Sequence, residues 1–304
     1  MCIVKSNPSM KCSTFWDTMN KMKTFGGIEE KYAGFDQAEI LLQSIPFDGT
    51  STWGKGADRG FDVFLEAAEN MELYDIETES EVYRKGIHVL PNIVHDDHPG
   101  AMVKAVYRTA RQLIASGKFP TFIGGEHSIS IGVIKAFYEQ YPGITILQLD
   151  AHADLRPEYD GSPYNHACAL HDASKNANLI QVGIRSMDSS ERQYMDTGKC
   201  FFSHLLDRQD NWMDSAIGLM TNTVYITLDL DVFDPGIMPA TGTPEPGGLD
   251  WDTVVRFLRR VFKEKDVKGF DIVELAPIEG IHSPEFLVAK LYYKMLSYKF
   301  KYNG

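Results

Sequence analysis

The sequence of 304 residues lacks the features that mark exported, membrane-bound or nucleic-acid-binding proteins. It contains no apolar run long enough to span a bilayer, and residues 1–20 do not form the apolar stretch of a secretion signal. Its four cysteines, Cys2, Cys12, Cys168 and Cys200, include no CxxC pair. There are 30 basic residues against 42 acidic ones, which gives a net charge of −12. We therefore expect a cytoplasmic protein with reduced thiols and with no nucleic-acid or membrane partner.

The chain also contains no linker rich in proline, glycine or serine, and no internal repeat. Its hydrophobic share of 43% and aromatic share of 12% exclude disorder over most of its length. Residues 1–35 are polar and weakly patterned, and we expect them to form an N-terminal extension over the surface. The remaining residues, 36–304, are sufficient for a single domain with its own core.

Short apolar runs alternate with amphipathic stretches throughout residues 36–304. Because these runs lack alternating polar residues, they are typical of strands that are buried on both faces. Eight such strands separated by helical segments predict an α/β fold with a mainly parallel sheet and helices on both faces. The predicted strands are 39–45, 86–90, 119–123, 144–149, 179–184, 200–204, 223–230 and 269–275, and the clearest predicted helices are 101–116, 129–141, 252–265 and 284–298.

The segment after the predicted strand 144–149 carries two carboxylates and an imidazole at alternate positions. Asp150, His152 and Asp154 would point to the same side of an extended backbone, whereas the two alanines between them would point away. A DxHxD motif on its own is consistent with a metal site, but also with ordinary turn and cap residues.

Polar groups also stand at the ends of three other predicted strands. Asp229 and Asp231 lie at the end of the run 223–230. His127 follows two glycines after the run 119–123, and Glu274 lies near the end of the run 269–275. Each group alone fits a cap or a loop-to-helix junction. Glu126, beside His127, fits either an outer support of a metal site or a carboxylate at a helix start.

Taken together, these residues indicate a metal site more specifically than any one motif does. Four aspartates and two histidines at the carboxyl ends of three buried strands would form a cluster of like charge, which is costly to bury unless cations neutralise it. Parallel sheets also place their ligand crevice at these strand ends. Six ligands dominated by oxygen suit two divalent cations, and they favour Mn²⁺ over Zn²⁺.

Five motifs together resemble those of the ureohydrolase family, which includes arginase and agmatinase. They are GGEHS at 124–128, DAHAD at 150–154, TLDLDVFDP at 227–235, TGTPEPGGL at 241–249 and DIVEL at 271–275. The resemblance extends in order from about residue 39 to residue 298. It implies a three-layer α/β domain with an eight-stranded parallel sheet, two manganese ions per subunit and a homotrimer or homohexamer. Nickel serves some related enzymes. The implied reaction is hydrolysis of a guanidino group to urea and an amine.

The resemblance also implies a role for each matching residue. The first metal ion would be bound by His127 and Asp154, the second by His152 and Asp231, and both ions by Asp150 and Asp229. Glu274 would bind the substrate guanidinium through both carboxylate oxygens. His166 matches the proton-shuttle histidine of the family, and the alternative for it is an ordinary loop histidine such as His171.

The segment that would contact the substrate tail departs from the arginase pattern. Where arginases have Asn and Ser residues for an α-carboxylate, this chain has LRPEYDG at 155–161, which resembles agmatinases. Glu158 and Asp160 would attract an ammonium group. Asp188 matches a substrate-amine contact of arginases. Arg156 fits either a partner for a carboxylate tail or a surface salt bridge.

These observations predict hydrolysis of agmatine to putrescine and urea. The alternatives are another guanidino compound, namely 4-guanidinobutyrate, guanidine or arginine, and a metal-binding homologue without catalytic activity. The second alternative is disfavoured because the chain retains all six predicted ligands together with His166 and Glu274.

Overall fold

An eight-stranded sheet, in which all neighbouring strands are parallel, forms the middle layer of the protein in a computed structural model. The structure describes residues 24–94, 98–206 and 211–303. The strands are β1 Ile40–Ile45, β2 Ile87–Leu90, β3 Phe119–Gly124, β4 Thr145–Leu149, β5 Asn178–Ile184, β6 Cys200–Phe202, β7 Thr223–Asp229 and β8 Asp266–Val273. Their spatial order is β2-β1-β3-β8-β7-β4-β5-β6.

Helices cover both faces of this sheet. Within the described residues they are α1 Glu30–Ala33, α2 Gly60–Ala68, α3 Pro99–Ala115, α4 Ile129–Gln140, α5 Ala173–Asn176, α6 Ser203–Leu206, α7 Trp212–Leu219, α8 Trp251–Glu264 and α9 Ser283–Tyr302. Helices α2, α7, α8 and α9 share one apolar core with the sheet, and α3 and α4 share the other. The predicted α/β architecture is confirmed. No helix among the described residues is both long enough and apolar enough to cross a membrane.

Helix α8 shows why the sequence pattern located the elements well. Asp250 accepts a hydrogen bond from the backbone N–H of Thr253 at 2.7 Å, which caps the first turn. Buried residues then recur at helical spacing, as in Val254, Leu258 and Val261, whereas charged residues lie on the opposite side. The helix ends within one residue of the predicted end.

The sequence pattern was less informative for short elements. Helices α2 and α7 were not among the predicted helices, because nine and eight residues give only two turns of periodicity. Strand β6 ends at Phe202 because Ser203 starts helix α6. Strand β8 starts at Asp266, three residues before its predicted start, because its first residues alternate between buried and part-exposed positions.

The prediction that residues 1–35 lie over the surface is wrong at two described residues, Phe25 and Ile28. Phe25 is fully buried, with its ring 5.8 Å from that of Phe64 and 5.2 Å from that of Tyr292. Ile28 is also buried. Single apolar residues within a polar stretch show no periodicity, so the sequence does not reveal their burial. Phe25 is buried because it packs against aromatic rings of distant helices. The rest of the predicted extension, 1–23, lies outside the described residues.

The sheet order explains how the site is assembled. Strands β3, β8, β7 and β4 are consecutive neighbours in the middle of the sheet, although β3 and β4 are far from β7 and β8 in sequence. Their carboxyl ends therefore bring residues 124–128, 274, 229–231 and 150–154 to one edge. Gly125 is required there, because a Cβ atom would lie 1.8 Å from the carbonyl oxygen of Phe47.

Candidate metal centre and active site

His127 lies among three carboxylates at the carboxyl end of β3. Its Nδ1 atom is 3.1 Å from Asp150 Oδ2, 3.1 Å from Asp154 Oδ2 and 3.3 Å from Asp229 Oδ2. This nitrogen is buried and has no hydrogen-bond partner of acceptable geometry. A nitrogen surrounded by oxygen atoms in this way is arranged as a ligand group for a cation.

A second ligand group adjoins the first and shares Asp150 with it. His152 Nδ1 is 2.8 Å from Asp231 Oδ2 and 3.8 Å from Asp150 Oδ1. Within the described residues, two sets offer ligand atoms close enough for one ion each, namely His127, Asp150 and Asp154, and Asp150, His152 and Asp231. Asp229, predicted to bind both ions, belongs to neither set, but its Oδ2 lies 3.3 Å from His127 Nδ1, so all six predicted ligands lie close together.

The electrostatics of the cluster also fit cations. Burial, reinforced by the negative charges of Asp231 and Asp154, raises the pKa of Asp150 to about 7. Burial alone would lower the pKa of His152, but Asp231, Asp150 and Asp154 together outweigh it and raise that pKa to about 11. Without metal ions, protons on the histidines and on the buried aspartates must offset the negative charge of the cluster. Two divalent ions would balance the four aspartates and release these protons.

A buried hydrogen-bond network contacts the His127 ring on the side away from the carboxylates. Its Nε2 atom is 2.9 Å from Thr227 Oγ1, and the Thr227 hydroxyl lies 2.7 Å from Asp271 Oδ1. Tyr225 donates to the other oxygen of Asp271 at 2.6 Å. These contacts orient Nδ1 toward the carboxylates. The sequence analysis missed Thr227 and Asp271, although Thr227 stands two positions before Asp229 in an extended strand and thus faces the same side.

Glu274 lies where strand β8 ends, beside the metal-ligand cluster. Its backbone has φ of 70°, a left-handed conformation that is unfavourable for a residue with a side chain. Asp154 is held at φ of 54°. Glu274 Oε1 accepts the backbone N–H of His127 at 2.9 Å, which fixes the carboxylate. Burial and the neighbouring Glu126 raise the pKa of Glu274 well above its usual value, so a cation beside it would be favoured.

A cavity of about 290 Å³ opens onto this cluster. Among the residues that line it are Thr52, His127, His152, Asp154, Arg156, Tyr159, His166, Met187, Asp188, Glu191, Asp229, Asp231, Thr243 and Glu274. His166, the predicted proton shuttle, thus faces the same space as Glu274. Burial lowers the pKa of His166, which keeps its imidazole neutral near physiological pH.

The predicted substrate-tail residues divide into two groups. Arg156 and Asp188 line the cavity, whereas Glu158 and Asp160 are exposed and do not line it. The Arg156 guanidinium lies 3.9 Å from Asp188 Oδ2 and 3.9 Å from Glu191 Oε2, and it stacks over the Tyr159 ring at 4.6 Å. Arg156 therefore already has acidic partners.

Glu191 is a further cavity residue that the sequence analysis missed. It accepts the backbone N–H of Leu155 at 2.7 Å and that of Asp188 at 2.6 Å. The first of these bonds ties the loop after β4 to the loop after β5, and the second lies within the latter loop. Asp188 in turn caps the short helix Ser189–Gln193, with Glu191 as its capping-box partner.

Fold and site together define a parallel α/β protein with a candidate two-metal centre at the carboxyl ends of its central strands. Comparison with known proteins places it more closely. The family model described as "Arginase family" matches residues 38–297, and the chain belongs to that family. It is a ureohydrolase-type hydrolase, as the sequence resemblance predicted.

Two curated relatives and two solved structures illustrate the similarity. The chain is 35% identical to the N(1)-aminopropylagmatine ureohydrolase of Synechocystis sp., over 88% of this chain and 92% of the relative. It is 30% identical to the agmatinase of Pyrococcus horikoshii, over 85% and 91%. The structure of agmatine ureohydrolase from Thermoplasma volcanium superposes with a TM-score of 0.82 at 29% identity, covering 95% of this chain and 98% of that one. Arginase from Bacillus caldovelox shares the fold, with a TM-score of 0.74 at 22% identity over 84% and 97%.

Proposed function

We propose that this protein hydrolyses the guanidino group of agmatine, which yields putrescine and urea, with two manganese ions bound by the six ligands. The observation that carries the proposal is the position of Glu274, which lines the same cavity as the metal-ligand cluster. A carboxylate there binds a guanidinium through two oxygens and aims its carbon at the cluster. When bound, the ions supply a hydroxide nucleophile at neutral pH.

His166 completes the proposed reaction. A leaving amine must gain a proton before it departs, and a neutral imidazole in the cavity can take up a proton from water at its free nitrogen and pass it to the amine. The four aspartates hold the ions, and Glu274 holds the substrate. Among the histidines that line the described cavity, His166 is the one that belongs to neither metal-ligand group.

The tail end of the cavity favours an amine over a carboxylate. Asp188 and Glu191 line the cavity together with Arg156, and each of the two carboxylates lies 3.9 Å from the Arg156 guanidinium. One positive charge there faces two negative ones. An ammonium group is therefore the better match for this end.

A second candidate substrate is N(1)-aminopropylagmatine, which carries a longer tail with an additional amine. The relative from Synechocystis sp. bears this activity in its name, and so does a protein of Thermus thermophilus that is 33% identical over 89% of this chain. Exposed Glu158 and Asp160 follow the cavity-lining Arg156 in the same loop, where they would suit a second ammonium group.

We expect agmatine to be hydrolysed with a kcat/KM about ten- to hundredfold higher than that of arginine. The guanidinium is the same in both, but the arginine carboxylate lacks a free partner, which costs about 1–3 kcal/mol. Urea release from agmatine, N(1)-aminopropylagmatine, arginine, guanidine and 4-guanidinobutyrate measures this preference in the manganese-loaded protein. A carboxylate-bearing substrate that gives the highest kcat/KM would contradict the proposal.

Asp188→Asn is the matched variant for this panel, because asparagine keeps the helix cap and removes only the charge. The KM for agmatine should rise about two- to fivefold, because the variant removes an exposed negative charge near the substrate tail. The kcat/KM for guanidine, which has no tail, should not change. Asp196→Asn serves as the control, because it removes an exposed charge that pairs with Lys199 at 3.5 Å.

A further inference from the structure

The hydroxyl of Thr50 joins His166 to Glu126. Thr50 Oγ1 lies 3.1 Å from His166 Nδ1, accepts the backbone N–H of His166 at 3.0 Å, and is 2.9 Å from Glu126 Oε1. Thr50 lies in the loop after β1, Glu126 after β3 and His166 after β4. Three separate loops thus converge on one hydroxyl, which has a single proton and two lone pairs.

At Glu126, both carboxylate oxygens act as hydrogen-bond acceptors. Its carboxylate is fully buried and receives the backbone N–H of Ser128 at 2.7 Å, the Ser128 hydroxyl at 2.8 Å and the backbone N–H of Thr50 at 3.3 Å. Backbone N–H groups can only donate. Because Glu126 Oε1 already receives the backbone N–H of Thr50 and the Ser128 hydroxyl, it acts as an acceptor, so the Thr50 proton points to it.

The direction of that proton decides which nitrogen of His166 carries hydrogen. With its proton on Glu126, the Thr50 oxygen presents two lone pairs, and the backbone N–H of His166 uses one of them. The other faces Nδ1, which must then be the protonated ring nitrogen. Nε2 is left with a free lone pair on a ring that lines the cavity.

We propose that Thr50 and Glu126 are positioning residues that hold His166 in its Nδ1–H tautomer, with Nε2 free to take up a proton from water and deliver it to the leaving amine. This inference rests on the proposed function for the role of Nε2. The same Glu126 stands next to His127 in the chain, so the proton shuttle and the metal ligand are fixed by one short segment. The position of the His166 ring relative to the metal-ligand cluster is thereby fixed.

Kinetics of four variants test the positioning role. Thr50→Val removes the hydroxyl at nearly equal volume, and we expect kcat on agmatine to fall about tenfold or more with KM and bound manganese unchanged. Thr50→Ser should restore most of the turnover. In a His166→Ala background, Thr50→Val should cause no further loss, because it acts through His166. An equal loss in both backgrounds, or unchanged kcat in Thr50→Val, would overturn the inference.

A spectroscopic measurement tests the tautomer without any activity. The ¹⁵N shifts of histidine-labelled protein, loaded with diamagnetic Mg²⁺ at about pH 8, distinguish protonated from free ring nitrogens. The His166 signal is assigned by its loss in His166→Ala. We expect a protonated Nδ1 in the wild type and a mixture of tautomers in Thr50→Val. A protonated Nε2 in the wild type overturns the inference even in an active enzyme. An Nδ1–H tautomer without urea release from any guanidino compound overturns the proposed function instead.

Discussion

Asp150→Asn is expected to lose most of its bound manganese and, with it, nearly all urea-forming activity. Asp150 is the residue that both candidate ligand groups share, and a neutral amide cannot neutralise and bridge two cations as a carboxylate does. Its oxygens also accept Gln148 Nε2 at 2.7 Å and the backbone N–H of His152 at 2.6 Å, so the loop depends on the same group. Metal analysis after gel filtration, together with urea assays, measures both effects.

Asp252→Asn is the control for this variant, because Asp252 is exposed on helix α8, away from the cluster. Its metal content and activity should match those of the unmodified protein. Asp150→Asn that still holds two equivalents of manganese would show that the shared position belongs to another residue.

His166→Ala is expected to lower kcat by about 10²–10⁴-fold while its metal content and fold are retained. His166 lines the cavity but belongs to neither ligand group, so its removal affects proton transfer and not metal binding. His88→Ala is the matched control, because His88 lies on the edge strand β2 and contacts the carbonyl of Ala33. If kcat at neutral pH were unchanged in His166→Ala, the proton would have to reach the leaving amine by another route.

Much of the fold follows from local patterns in the sequence. Unbroken apolar runs mark strands that are covered on both faces, and all eight strands lie where such runs occur. Parallel order then places every strand end at one edge, so Asp150, Asp229 and His127 could be expected to meet before any geometry was known. The spatial order of the strands depends on packing between distant segments, which local periodicity does not encode.

The predicted ligands carry a sequence signal because alternate positions of one extended segment face one side, as in Asp150 and His152. Residues that support these ligands carry a much weaker sequence signal. Thr50 is a single threonine in a loop, and its contacts with His166 and Glu126 exist only because three loops converge. Asp271 is fully buried within a strand, where a sequence gives no indication of its partners. Hydrogen bonds between distant segments therefore had to come from the structure.

The central claim is that the cluster binds two divalent ions, and diffraction at the manganese absorption edge from crystals soaked in Mn²⁺ tests it most directly. Two anomalous peaks per chain are expected. One peak should lie beside His127 and Asp154, and the other beside His152 and Asp231, with Asp150 between them. A single peak, or peaks away from these side chains, would contradict the account.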